Sequence, residues 1–501
     1  MVYAFALPTT SHLCFQTSLS STTHPSLPQA ASTARHALRT ALKTHKRLPR
    51  AQQEAHLTNI LTTLTDYLPY LSAISNGLSG KTTETSEEIE ITLHSELEPE
   101  WRATLTSPTL TLKASPTTRI RGRGLDYEIA FVLTTLSYVL NNLAQNTVIR
   151  TLYAATTPTP EQRTVAITTA TKHLLHASAV HTLLATSPSF AHVSRTVVSA
   201  SPAAVPDLDP ASQAALASLA LAEATLLAVV KDDSYVAACI QARNPNDKEW
   251  MVRAPEIPKV RAHLFARLCI RAAEYAEQAE AGLGTVRAQG RVGIEEDLIK
   301  YVHVLSRVAR ARACRFFGVD AELAGKIGEG IAWLRAAKGT LGVRGAMGEK
   351  ENGSKSRGFS RLKQGWMDRR EERRMEKDAG SRDQMEKGEL GPGDNAGREE
   401  EGRVIEMLET KWVRMNDTIN TQLIPPSTDL ITNLPSGRDI HSPPAPYRLP
   451  SLDEEQLMRM RAPPAEDEFG AGSDLDESDE EPTIARDTAS TVPERTDSAY
   501  Y

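Results

Sequence analysis

Three neighbouring histidines are the first residues whose spacing could support chemistry. His173 and His176 are three positions apart on a predicted helix, so both could face one metal ion, and His181 follows on the same helix. Two histidines at this spacing supply only part of a ligand set, and no acid is positioned to complete it. We therefore interpret the three as polar residues along a partly exposed helix face and expect no bound metal.

Other motifs that carry chemistry are missing from the sequence. It contains neither the G-x-S-x-G nor the H-E-x-x-H pattern. The glycine-rich stretch 282–290 follows a helix and lacks a Gly-Lys-Ser/Thr step, which predicts a turn between helices rather than a phosphate loop. Cys239, Cys269 and Cys314 lie in alanine-rich helical surroundings and are predicted to be small core residues. We expect a non-catalytic protein without a cofactor.

Two pairs of leucines are more informative. Leu226 and Leu227 make the apolar face of their helix wider than contact with one neighbouring helix requires. Leu264 and Leu268 form an i, i+4 pair on a later helix. The second pair is flanked by three basic or titratable residues, Arg261, His263 and Arg267. One interpretation is ordinary core packing. The other is a shallow apolar groove with a basic rim, suited to an amphipathic helix from an acidic partner.

The elements that must position these residues are mainly helices. Apolar spacing near 3.6 predicts helices over 126–144, 160–185, 209–230, 258–281, 295–317, 320–339 and 403–424. Asp209 is the expected N-cap of the third, and Gly339 the expected C-cap of the sixth. Only the region 87–112 alternates with period two, which predicts a small β-hairpin. Long helices joined by short loops are typical of an α-solenoid.

Charge is distributed unevenly along the 501 residues, although the net charge is only −6. Residues 349–403 hold 28 charged side chains in 55 positions, fourteen of each sign, and are predicted to be a disordered insert. From Glu466 to Tyr501 there are twelve acidic and two basic residues, a solvated acidic tail. We expect a domain over 1–450, interrupted by that insert, and a disordered tail over 451–501.

Signals for membrane targeting are not recognisable. The N-terminus has no basic region followed by a long apolar run, and the second residue is Val2. The most apolar stretch, 214–230, is short, rich in alanine and contains Glu223, so we do not expect it to span a bilayer. We expect a cytoplasmic protein that reaches membranes only through its partners.

Several segments together resemble the BRO-type domain of Alix-like ESCRT adaptors. They are Tyr127–Leu133, Thr171–Ser178, Leu219–Ala224, Phe317–Leu323, Ile327–Lys338 and Met415–Pro426. Three further segments, Phe5–Phe15, His24–Pro49 and Leu434–His441, are similar to the fungal ambient-pH signalling branch of that family. The resemblance covers roughly 1–450 and implies an all-α, elongated, boomerang-shaped domain with a TPR-like helical solenoid core and a small N-terminal sheet.

The resemblance also implies a function. Family members bind the C-terminal helix of the ESCRT-III filament subunit through a hydrophobic patch. Members of the fungal branch act at plasma-membrane pH-sensor complexes and promote activation of the transcription factor PacC by a separate protease. The alternative is a structural α-solenoid scaffold in endosomal sorting without a role in pH sensing.

The patch positions transfer to this sequence residue by residue. Leu264 and Leu268 fall on patch positions, and Leu226 or Leu227 lies near an aromatic one. Charged patch positions of some relatives are Thr164 and Thr168 here. Arg438 is a further candidate for partner binding; an ion pair with Asp439 or a helix cap would equally explain it.

Overall fold

The architecture is described from a computed structural model, which covers residues 2–82, 87–106, 119–154, 156–196, 205–241, 259–289, 294–342 and 395–463. Its helices are α1 (Leu27–Arg47), α2 (Arg50–Leu78), α3 (Leu125–Leu152), α4 (Pro160–Thr186), α5 (Pro210–Asp232), α6 (Ser234–Gln241), α7 (Lys259–Gln289), α8 (Glu296–Leu323), α9 (Ile327–Leu341), α10 (Arg398–Met415), α11 (Ser427–Thr432) and α12 (Glu454–Met460). Short strands are β1 (Thr9–Thr10), β2 (Leu19–Ser21), β3 (Ile91–Leu93), β4 (Glu100–Arg102) and β5 (Ile120–Arg121).

The long helices form a continuous series in which each packs mainly against the next. Helix α3 packs on α4, α4 on α5, α5 on α7, α7 on α8 and α8 on α9. Helix α10 then closes against α9, α8 and α6. Such sequential packing is what short connections between long amphipathic helices produce. The predicted all-α architecture with a helical solenoid core is confirmed.

Helices α4 and α5 begin at capping residues that can be recognised in the sequence. Thr159 and Gln162 form a capping box before α4: the Thr159 hydroxyl accepts from the Gln162 N–H at 3.2 Å, and the Gln162 side chain accepts from the Thr159 N–H at 3.0 Å. The Asp209 carboxylate accepts from the Ala211 N–H at 2.9 Å, which confirms it as the N-cap of α5.

Two glycines were assigned wrongly from the sequence. Gly339 lies inside α9, and the helix ends instead at Gly342, whose φ of +73° is the left-handed conformation that glycine adopts without strain. Gly282 lies inside α7 rather than in a turn. A Cβ at that position would come within 2.9 Å of the Ala215 Cβ, so its glycine permits close packing of α7 on α5.

The first predicted arm of the hairpin pairs with a segment near the N-terminus. Strand β3, within that arm, pairs antiparallel with β2, and β4 lies between β1 and β5. The second predicted arm, 104–112, lies outside the described residues beyond Thr106. Both sheets recruit a strand from the first 21 residues, and period-two alternation cannot indicate which distant segment a strand pairs with. A small sheet near the N-terminus is nevertheless present, as expected.

Helix α5 is apolar enough to resemble a membrane span by composition, with a mean hydropathy of 1.8. However, 78% of its most apolar window is buried between neighbouring helices, which is the behaviour of a core helix. Cys239 near it, and Cys269 and Cys314 on α7 and α8, are buried, confirming them as core residues.

The ordered boundaries differ from those expected from charge alone. Helix α10 begins at Arg398, inside the predicted insert 349–403; positions 343–394 lie outside the described residues. At the other end, Leu457 and Met460 of α12 are buried, so the folded unit runs to Arg461 rather than to residue 450. Charge content alone did not predict that these segments fold, because only a few apolar or ion-paired side chains in them make the packing contacts. The tail from 464 also lies outside the described residues.

Candidate partner-binding face

The three histidines occupy different environments. His181 is fully buried, its Nδ1 lies 2.6 Å from the Gln213 Oε1, and burial lowers its pKa to about 4. His173 is half-buried, and the His176 ring lies 5.5 Å from the Tyr447 ring. Throughout the part of the chain that the structure describes, no group of three His, Cys, Asp or Glu side chains could hold a metal ion.

The predicted leucine patch is only partly at the surface. Leu226, Leu227 and Leu268 are 1% exposed or less and belong to the main hydrophobic core. A side chain with no exposed surface cannot contact a partner, so these three act as supports for the face. Leu264 is half-buried and packs on the edge of the same core. Here the core-packing interpretation holds for three of the four leucines.

The chain returning from α11 crosses this region, and we call residues 434–447 the strap. Its first contacts are with α7: the Arg438 N–H donates to the Arg267 carbonyl at 3.1 Å, and the Arg267 Nε donates to the Ser436 carbonyl at 3.1 Å. Asp439 accepts from the Arg271 Nε and the Tyr275 hydroxyl, both at 2.7 Å. These bonds fix the strap along one side of α7.

Gly437 allows this close approach. A Cβ there would come within 2.7 Å of the Arg271 backbone nitrogen and Cα. No side chain longer than hydrogen fits without moving the strap away from α7. Gly437 therefore determines how tightly the strap lies on the helix.

The strap continues over α5 and α4. The His441 side chain lies beside the backbone of Ala224 on α5, and the Tyr447 ring lies 5.5 Å from the His176 ring on α4, at an angle of 34°. Burial lowers the pKa of His441, which favours its neutral form. The strap thus crosses α7, α5 and α4 in turn, which shows that these three helices share one face.

Helical periodicity extends that face beyond the strap. Val165 lies three turns before His176, Leu264 two turns before Arg271, and Lys231 two turns after Ala224. Because the helices run antiparallel, the start of α4, the end of α5 and the start of α7 lie at one end of the face, as the ion pair of Arg261 with Asp232 at 3.2 Å confirms for the last two. We call this region the docking face.

The docking face combines apolar and basic groups. Val165 is 66% exposed, and Thr164 and Thr168 flank it at the surface of α4. Leu264 supplies a second apolar contact on α7, and the half-buried Lys231 and Arg267 with the exposed Arg261 provide the positive rim. The Thr164 hydroxyl bonds its own helix, donating to the Pro160 carbonyl at 2.8 Å. An apolar centre with a basic rim can hold an amphipathic helix that carries acidic residues at its edges.

Arg438 lies beside this face, exposed on the strap. The expected ion pair with Asp439 is not formed, because the described residues show the Asp439 carboxylate bound to Arg271 and Tyr275 instead. Nor does Arg438 cap a helix, since its backbone N–H donates to the middle of α7. Arg438 therefore stays a predicted partner-binding residue, exposed on the strap.

Beneath the face, α5 carries a buried acid. The Glu223 Oε1 accepts from the Tyr3 N–H and from the Tyr301 hydroxyl, both at 2.8 Å. Burial raises the pKa of Glu223 to about 7, against the opposing effect of these hydrogen bonds. The N-terminal segment and α8 are thus joined to α5 through a carboxyl that titrates near neutrality.

Glu223 is expected to make stability fall as pH rises. Its folded pKa of about 7 exceeds the unfolded value of 4.5, so the folded state binds more protons between them. The stabilising contribution is complete below pH 4.5 and is lost as pH rises through 7. Relative to Glu223→Gln, the wild type should lose about 2–3 kcal/mol of unfolding free energy between pH 5 and pH 8, measured by urea denaturation. Parallel pH profiles of the two proteins would contradict this assignment.

Sequence reasoning missed Val165 and the strap. Thr164 and Thr168 are singled out from the sequence, but Val165, which is next to Thr164 on the same helix, is not. A signal for the strap existed in Gly437, which lies between polar residues and two positions after Pro435, but the α7 residues that the strap contacts lie more than 160 positions earlier in the chain. Contacts so distant along the chain leave no local pattern.

Comparison with known proteins supports the same architecture. The sequence profile of the BRO1-like domain matches residues 5–436. A pH-response regulator protein palC of Emericella nidulans is 63% identical over 516 residues and covers all of both chains. A pH-response regulator protein palC of Cryptococcus neoformans var. neoformans is 30% identical over 172 residues, 32% of this chain and 30% of that protein.

Solved structures share the fold. The ALIX BRO1 domain in its complex with CHMP4C has a TM-score of 0.50 and 15% identity, covering 89% of this chain and 96% of that one. ALIX in complex with a SIVmac239 late-domain peptide has a TM-score of 0.52 and 15% identity, covering 93% and 52%. With the profile matching most of the chain and a full-length relative above 60% identity, this protein belongs to the BRO1-like domain family.

Proposed function

We propose that the protein is a non-catalytic adaptor in fungal alkaline-pH signalling, which binds the C-terminal helix of the ESCRT-III filament subunit on its docking face. The single observation that carries the proposal is the exposed Val165 and the half-buried Leu264 with a rim of Lys231, Arg261 and Arg267. The full-length relative named as a pH-response regulator supports the pathway. The complex of ALIX BRO1 with CHMP4C supports the class of partner.

In this mechanism the protein contributes surface rather than reaction chemistry. Val165 and Leu264 bury apolar side chains of the incoming helix, while the rim cations accelerate encounter with an acidic partner. Arg438 on the strap adds a cation beside the bound helix. The adaptor, cytoplasmic by itself, would be recruited through partners to a plasma-membrane pH-sensor complex, where a separate protease activates PacC.

Replacing both apolar anchors should abolish most of the binding. We expect Val165→Asp with Leu264→Asp to weaken binding of a synthetic ESCRT-III C-terminal helix at least about tenfold, since each truncated anchor removes on the order of 1–2 kcal/mol. Isothermal titration calorimetry with the full chain measures this. Both side chains lie at the surface or the core edge, so the variant should remain folded, which circular dichroism checks.

The matched control is Ile419→Asp, which places the same charge on a side chain that is 75% exposed outside the docking face. It should bind like the wild type. Equal affinity of the wild type and the double variant would overturn the face assignment. Wild-type helix binding without any effect of the double variant on PacC processing in cells would instead favour a structural scaffold outside pH signalling.

A further inference from the structure

Helix α1 carries a concentration of positive charge that the proposed adaptor function does not use. No Asp or Glu precedes Glu54 in the chain, whereas six Lys or Arg side chains lie between residues 35 and 50. Arg35 is buried, and its Nε lies 2.8 Å from the Glu128 carboxylate. The other five cations are half-buried or exposed. One cation of the six therefore serves the core, and the others face outward.

Three of these cations follow one another at intervals of four residues. Arg39, Lys43 and Arg47 therefore lie along one side of α1, over about 12 Å of helix. Lys46 lies next to Arg47, and the charge of Arg119, just before β5, acts on both lysines. We call these five residues, Arg39, Lys43, Lys46, Arg47 and Arg119, the cationic stripe.

No acid neutralises the cationic stripe within the part of the chain that the structure describes. None of its five side chains forms an ion pair or a hydrogen bond there, and the buried Nε of Arg39 has no partner. Partial burial lowers the pKa of Lys43, and repulsion from Arg39, Arg119 and Arg47 lowers it further. Partial burial and repulsion between cations lower the pKa of Lys46 in the same way. An anionic surface would relieve this repulsion.

The side chains around the cationic stripe indicate which kind of anion fits. Thr33, Thr40 and Thr44 are exposed neighbours on α1 and are short. The lysine and arginine side chains reach beyond them, so that a flat anionic surface meets the cations first. Residues 26–50 include no Phe, Tyr or Trp on which nucleic-acid bases could stack. A broad, flat and negatively charged partner matches this surface best.

We propose that the cationic stripe adsorbs to the surface of a membrane that contains anionic phospholipids. Clusters of about four to eight Lys or Arg side chains on an amphipathic helix are typical of such contacts. Each cation near the membrane surface strengthens binding about fivefold. Among the described residues of α1, no large apolar side chain is exposed, so the contact is electrostatic and reversible. It adds to recruitment through partners rather than replacing it.

Flotation of the full chain with vesicles tests the proposal. Vesicles of phosphatidylcholine with about 30% phosphatidylserine should bind the protein, because their surface is negatively charged. Vesicles of phosphatidylcholine alone should not bind it. Raising NaCl from about 0.1 M to about 1 M should release the protein, since salt screens interactions between exposed charges.

Neutralising two cations of the stripe should weaken vesicle binding. We expect a loss on the order of thirtyfold for Lys43→Gln with Arg47→Gln, because each cation contributes about fivefold. The changes remove no bond among the described residues and relieve repulsion, so the variant should fold. Circular dichroism and unchanged binding of the ESCRT-III C-terminal helix check this. The matched control, Lys411→Gln with Arg414→Gln, neutralises two exposed cations of α10 and should bind vesicles like the wild type.

Three outcomes would overturn the proposal. The first is an equal loss of vesicle binding in the stripe variant and the α10 control, and the second is equal binding to vesicles with and without phosphatidylserine. The third comes from titrating a single-stranded RNA oligonucleotide: RNA binding lost in the stripe variant, with vesicle binding unchanged, would assign the stripe to nucleic acid. Because the stripe and the docking face share no helix, failure here and failure of the proposed function are distinguishable.

Discussion

Replacing Glu401 by alanine is expected to cost about 3–5 kcal/mol of unfolding free energy, because it leaves two buried guanidinium groups without their shared carboxylate. Glu401 accepts from the Arg312 Nε at 2.8 Å and from the Arg315 Nε at 2.5 Å, and all three side chains are 0% exposed. Arg315 is also bonded to Asp233. Burial would raise the pKa of Glu401, but the two arginines outweigh it and lower the pKa.

Urea denaturation of the full chain checks this loss, and Glu399→Ala is the control. Glu399 lies two positions earlier in the first turn of α10 and is exposed, so its removal should cost less than about 1 kcal/mol. Hydrogen exchange should rise first in α10, since Glu401 bonds this helix to two arginines of α8. If Glu401→Ala and Glu399→Ala were equally stable, the buried network would not hold the helix.

Glu128→Ala should be of similar severity in the N-terminal core, about 3–5 kcal/mol. The Glu128 carboxylate accepts from the Arg35 Nε at 2.8 Å, the Tyr67 hydroxyl at 3.1 Å and the Trp101 Nε1 at 2.7 Å. These donors come from α1, α2 and β4, so one side chain on α3 joins three other elements. Its loss leaves the buried Arg35 guanidinium, the Tyr67 hydroxyl and the Trp101 indole N–H without this acceptor.

A double-mutant cycle measures that coupling. Arg35→Ala combined with Glu128→Ala should cost less than the sum of the two single changes, because each change already removes the same ion pair. The control is Arg121→Ala on β5, whose ion pairs with Glu98 and Glu100 are about half exposed and should contribute at most about 1 kcal/mol. Additive losses at Arg35 and Glu128 would mean that they act independently.

Much of the helical scaffold could be predicted because its signals are local. Apolar spacing located α3, α4, α5, α7 and α8, and Asp209 with Pro210 marked the start of α5 in the sequence itself. Burial of the three helical cysteines followed from their alanine-rich surroundings. These features depend on neighbours within one or two turns, which is the range over which sequence pattern determines structure.

The docking face could be predicted only in part, because exposure depends on which helix packs where. Leu264 and Leu268 differ by one helical turn, yet Leu268 is 1% exposed and Leu264 is half-buried. Of the two interpretations of Leu226 and Leu227, core packing is the correct one, because both face neighbouring helices. The helical period determines the direction of a side chain around the helix axis. It does not determine which neighbouring element covers that side chain.

Buried charge networks escaped prediction for a related reason. Arg312 and Arg315 lie three apart in the middle of an apolar helix, which is an unusual place for arginine and was the available signal. The carboxylate that pairs with both arginines, that of Glu401, lies within 349–403, the segment whose charge content predicts disorder. A deletion of 349–403 intended to remove a disordered insert would therefore also remove the carboxylate that both arginines need.

The connection between α9 and α10 has a consequence for how this chain tolerates change in length. The Arg398 side chain at the start of α10 donates to the Leu341 carbonyl at the end of α9, at 2.9 Å, so the end of one helix lies beside the start of the other. A loop with adjoining ends can double in length for only about 0.6 kcal/mol of closure entropy. Insertions or deletions confined to 343–394 should therefore change the free energy of unfolding little. This junction is accordingly a suitable place to insert a tag.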